Sequence, residues 1–96
     1  MSTVEEIDLS TVIRQRGGLL AHDVDGTLVV ADETSSCWYG LELIARKIWQ
    51  LVERPQKVTD LCTALVNEYN IDRESCERDV LDFLGELKRE GLIEIV

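Results

Sequence analysis

Carboxylates in short runs, three cysteines and a lone histidine are the side chains of this 96-residue sequence that could hold a metal or attack a substrate. The carboxylates group as Glu5, Glu6 and Asp8, as Asp23 and Asp25, as Asp32 and Glu33, and as Asp79, Asp82 and Glu86. Such groups can share a cation or a proton. Asp79 and Asp82 are three residues apart and Asp82 and Glu86 four apart, which puts them along one exposed side of a helix. A solvated ridge of that kind suits a cationic partner and gives no carboxyl an evident reason to change its pKa. Cys37, Cys62 and Cys76 cannot all pair, and with His22 they match no zinc framework. They are expected to be buried or half-buried thiols. No histidine lies beside a cysteine in sequence, so nothing marks a thiol nucleophile.

One string has a stronger claim. His22-Asp23-Val24-Asp25-Gly26-Thr27-Leu28 resembles the first motif of the haloacid dehalogenase phosphatases, which implies Asp23 as nucleophile and Asp25 as general acid. That chemistry also needs a magnesium site completed by distant acids, a cation on the phosphoryl group and a parallel sheet to gather them. After the motif this chain makes a further short strand and a turn, where a parallel sheet requires a crossover helix. Asp25-Gly26 is therefore read as a hairpin turn, since glycine tolerates the positive φ that such turns demand. These residues by themselves mark no catalytic group, and no metal or cofactor is expected.

The elements around these residues follow from periodicity. Residues 1–18 have weak periodicity and end in Gly17-Gly18, which reads as an N-terminal segment leading loosely into a domain over 19–96. Leu19 to Asp23, Thr27 to Asp32 and Ser36 to Gly40 are β-prone runs separated by turn residues and predict a three-stranded antiparallel meander. From Leu41 the spacing becomes helical. Ile44, Ile48, Leu51 and Val52 form one stripe, stopped at Pro55. Val58, Leu61, Cys62, Leu65, Val66 and Tyr69 form a second, with Asn70 as its left-handed terminator. Cys76, Val80, Phe83, Leu84 and Leu87 form a third, with Asp72 as N-cap, Ile71 and Cys76 as a hydrophobic staple, and Gly91 at the C-terminal stop. Leu92 to Val96 is left as a short strand or a packed tail. The fold class is α+β, a three-stranded sheet followed by three helices.

Nineteen acidic against ten basic residues give a net charge of −9, which repels phosphate backbones and anionic lipids and attracts a peptide or protein bearing Lys or Arg. Nucleic acid and membrane are not expected partners. The acidic N-terminus is unlike a secretory signal, and no run of about 18 apolar residues occurs. A cytoplasmic location is expected.

Gly26-Thr27-Leu28-Val29-Val30-Ala31-Asp32, Cys37-Trp38-Tyr39-Gly40-Leu41-Glu42 and Ile48-Trp49-Gln50-Leu51-Val52 are followed by Val58-Thr59-Asp60-Leu61, Tyr69-Asn70-Ile71-Asp72, Asp79-Val80-Leu81-Asp82-Phe83-Leu84 and Gly91-Leu92-Ile93. In that order and spacing, over about residues 19 to 93, the chain resembles the PqqD-like peptide chaperones, also called RiPP recognition elements. It departs from them at the strand-to-helix junction, where Leu41-Glu42 and Ala45 stand in place of the family's Leu-Asn and a following Gly.

The resemblance implies a winged-helix-like domain that binds, without catalysis, the leader of a ribosomally made precursor peptide. The leader would add as a strand to the third strand, in the groove against the last helix. The implied binding residues are Ser36, Cys37, Trp38 and Tyr39 on the strand and Asp79, Val80, Phe83, Leu84 and Leu87 on the helix. Alternation puts Cys37 and Tyr39 on one face and Trp38 on the other, leaving open which set meets the leader. Among these proteins the chain most resembles the stand-alone leader-binding proteins of lasso-peptide biosynthesis, whose implied partner is a leader peptidase, or else a radical peptide-modifying enzyme. Two other readings of the same elements are a winged-helix nucleic-acid binder, opposed by the charge, and an adaptor that dimerises through its strand edge.

Overall fold

The computed structural model describes residues 7–32 and 37–96. Two antiparallel sheets and three helices enclose one apolar core. The first sheet is the expected meander. Strands β2 (Leu19–Val24), β3 (Thr27–Asp32) and β4 (Cys37–Leu41) lie in the order β2-β3-β4. Asp25 and Gly26 have φ of 50° and 89°, the two positive values of a type I′ turn, and these fix the register Val24 to Thr27 and Asp23 to Leu28. Val30 then faces Tyr39, and Leu28 faces Leu41. Leu28, Val30 and Leu41 are buried, so this face of the sheet is the core face.

The helices are α1 (Leu43–Leu51), α2 (Val58–Tyr69) and α3 (Arg73–Arg89). Asp72 caps α3 by accepting from the Ser75 N–H at 2.9 Å, and Asn70 ends α2 in the left-handed region. At the other end of α3, Leu92 N–H donates to the Leu87 carbonyl and Gly91 N–H to that of Lys88, with Gly91 at φ 74°. That is a complete Schellman motif, and it turns the chain sharply off the helix. Ile48, Trp49, Val58, Leu61, Leu65, Val80 and Leu84 carry the helical stripes into the core.

The second sheet was not expected. Strand β1 (Val12–Gln15) lies between β5 (Gln56–Lys57) and β6 (Ile93–Ile95), both antiparallel to it. The described part of the N-terminal segment is therefore not loosely tied. Ile13 is fully buried, the Gln15 N–H donates to the Val52 carbonyl at 2.8 Å, and Arg16 pairs with Asp32 of β3 at 2.6 Å. The strand option for Leu92 to Val96 is realised as β6. No helix among the described residues is long and apolar enough to cross a membrane.

Candidate functional site

β4 is an outer strand of its sheet, and a cleft of about 400 Å³ lies between it and α3. Three things put it there. Val30 and Tyr39 are register partners, so Tyr39 shares the core face of the sheet; the Schellman turn at Gly91 sets the end of α3; and α3 buries Leu84 and Leu87 beneath the opening. Tyr39, Gly40 and Leu41 form one wall, and Phe83, Glu86, Leu87, Arg89 and Glu90 the other. The Tyr39 hydroxyl donates to a Glu90 carboxylate oxygen, joining the walls at one end. A second, more apolar cleft of about 240 Å³ opens between α1 and α3, with Ile44, Ile48, Asp79, Val80 and Phe83 among its lining. Phe83 belongs to both.

The nine residues inferred from the sequence fall into several groups. Tyr39, Phe83 and Leu87 are brought together in the β4–α3 cleft. Asp79 and Val80 line the α1–α3 cleft instead. Leu84 is 0% exposed, wholly in the core, and lines neither. Trp38 points to the opposite face of the sheet and is 69% exposed. Ser36 and the Cys37 side chain lie outside the described residues. Of the two sets that alternation separates, Tyr39 lines the cleft and Trp38 does not. Sequence reasoning placed Glu86 on the acidic ridge of the last helix, not in the cleft, and did not single out Glu90. Their signal was available: Glu86 is three residues after Phe83 and Glu90 three after Leu87, on the shoulder of the same stripe.

The phosphatase-like string has a structural explanation. Asp23 accepts from both terminal nitrogens of Arg46 on α1 at 2.5 Å each, and one of these also donates to the Gly26 carbonyl at 3.1 Å. The aspartate thus clamps the β2–β3 hairpin to α1. Arg46 and Lys47, the latter 3.5 Å from Glu68, are engaged within the chain. Among the described residues, no three His, Cys, Asp or Glu side chains gather to hold a metal. Cys62 and Cys76 are buried as expected. Burial first, then the neighbouring Cys76 thiol, pushes Cys62 up to about 11, and burial also raises Cys76, so both are inert thiols near neutral pH.

Residues 27–93 match the family model described as coenzyme PQQ synthesis protein D (PqqD). Among solved structures, the chain is similar to TbiB1 in complex with the TbiA(beta) leader peptide, at 27% identity and a TM-score of 0.77 over 84% of this chain and 94% of that one. It is also similar to lasso peptide synthetase B1 complexed with the leader peptide, at 26% identity and a TM-score of 0.76 over 85% of this chain and 96% of that one. No curated protein matches the sequence.

Proposed function

Since the chain belongs to the PqqD family, we propose that it is a non-catalytic recognition protein that binds the leader segment of a ribosomally synthesised precursor peptide. The observation that carries this reading is the outer strand β4 set across a peptide-sized cleft from α3. A leader entering there as a further strand makes main-chain hydrogen bonds that any sequence can make, and it places alternate side chains over Tyr39, Phe83 and Leu87. Affinity then comes from the strand edge and selectivity from the cleft. Both structural neighbours are leader-peptide complexes, which supports the same ligand class here.

Holding the leader keeps the attached core peptide near a processing enzyme and makes a weak encounter intramolecular. A leader peptidase of a lasso-peptide pathway is the favoured recipient in this proposal, with a radical peptide-modifying enzyme as the alternative. The three-stranded sheet and three helices are taken as winged-helix-like, but a role on nucleic acid gains no support, because α3 carries Asp79, Asp82 and Glu86 where phosphate contacts would need cations.

The test is a titration with the leader of whichever short precursor peptide is encoded in the same gene neighbourhood, with a scrambled leader as control. Trp38 on β4 is the reporter, and Trp49→Phe removes the buried second tryptophan. Saturation at or below about micromolar concentration, weakened by Phe83→Ala, is the expected result. A folded protein that ignores its own leader would overturn the proposal.

A further inference from the structure

The cleft between β4 and α3 has an apolar floor and an acidic end, and this asymmetry says more about its occupant than strand addition does. Tyr39, Phe83 and Leu87 supply the floor, while Glu86 and Glu90 stand one helical turn apart on the α3 wall. The Tyr39 hydroxyl holds the Glu90 carboxylate at the cleft and uses one of its roughly four acceptor positions. Glu90 is also the C-cap residue of α3, so the negative end of the helix dipole reinforces its charge. Arg89 lines the same cleft and offsets one of the two carboxylates, leaving a net negative lining in a chain of net charge −9.

From these features, and resting on the strand-addition reading above, we infer that the cleft selects a Lys or Arg side chain of the bound peptide, with Glu86 and Glu90 setting the preference. Side chains four residues apart on a helix start about 6 Å from each other, within the span of one guanidinium or ammonium group. A neutral hydrogen-bond donor could meet Glu90 but would leave the field of both carboxylates and the helix end uncompensated. An acidic side chain would be repelled by that same field.

The test is selection of random dodecapeptides by mRNA display against the full chain and, in parallel, against the Glu86→Gln/Glu90→Gln double variant, with circular dichroism to confirm that both are folded. The expected result is a shared apolar pattern from both selections, with Lys or Arg fixed at one position relative to it only for the unmodified chain. Replacing that residue by Met in the selected peptide should weaken binding about three- to tenfold for the unmodified chain and leave the variant unaffected. Should the double variant fail to fold, Glu86→Gln alone carries the comparison. Absence of a basic position, its persistence in the variant, or enrichment of Asp or Glu opposite Arg89 overturns the inference while leaving strand addition standing. If neither protein selects any peptide, the strand-addition reading itself falls, and this inference with it.

Discussion

Phe83 and Leu84 are adjacent in sequence and share the helical stripe of α3, yet they do different work. Phe83 is half-buried and lines both clefts, whereas Leu84 is sealed in the core. Truncating Leu84 leaves a cavity that its surroundings close only in part, so Leu84→Ala should lower folding stability by about 2–5 kcal/mol, read as a shifted urea midpoint. Phe83→Ala should cost less in stability and weaken leader binding by roughly tenfold or more, because an aromatic side chain at the centre of a cleft carries a large share of contact energy. Equal effects of the two substitutions on both measurements would remove Phe83 from the binding site. The stripe of apolar residues was readable from the sequence, but this division was not, since periodicity reports only that a residue faces inward. Asp23 is a further case, in which a string suited to phosphoryl transfer serves as a hairpin clamp. Asp23→Asn should lower stability by under about 1 kcal/mol, as is usual for a partly exposed ion pair.

At the scale of elements, the meander and the three helices were legible because their signals are local: period-two runs around Asp25-Gly26, the proline after α1, Asn70, and the caps Asp72 and Gly91. The second sheet was not. Its strands are four, two and three residues long, and β1 pairs with a segment at the opposite end of the chain, so no local window contains the evidence. That Glu86 and Glu90 line the cleft was not legible for a related reason, since it depends on where β4 lies and not on their own helix. The junction between β4 and α1, where the chain departs from its family's sequence pattern, carries a local cost. Leu43 sits at φ 53° and is 83% exposed, so it holds a left-handed backbone without burying its side chain. Glu42 just before it accepts from Thr27 Oγ1 at 2.9 Å and so secures the bend. Leu43→Gly should raise stability by about 1 kcal/mol, seen as a higher urea midpoint, because relief of the strained backbone outweighs the loss of an exposed side chain. The edge of β4 has its own test. Methylating leader amides one at a time should weaken binding at every second position, since only alternate amides of an added strand face β4. A uniform response along the leader would mean that the peptide does not bind as a strand.

At the scale of the whole molecule, the excess of acid governs both stability and association. Two aspartates are held in their ionised forms by local hydrogen bonds. The Ser75 backbone N–H, and then its hydroxyl, hold Asp72 below the usual aspartate range, and the Ser10 hydroxyl and N–H do the same for Asp8. A carboxyl whose pKa is lower in the folded than in the unfolded chain stabilises the fold fully above its unfolded value, and that stabilisation is lost as pH falls through the folded value. Urea midpoints should therefore hold steady from neutral pH down to about pH 5 and then fall below about pH 4. Asp72→Asn keeps a cap acceptor for the N–H of Ser75 but cannot titrate, so it should flatten part of that fall. An unchanged profile would show that the cap does not contribute to it. The same charge should act on binding through the encounter. With −9 on the protein, a leader rich in Lys or Arg is drawn in over roughly a Debye length, about 8 Å at physiological salt, and the association rate should drop as salt is raised. Dissociation, set by the β4 edge and the apolar cleft floor, should change far less. Stopped-flow association and dissociation rates measured between low and high salt separate the two, and a salt effect confined to dissociation would place the decisive charges inside the bound cleft instead of in the field around it.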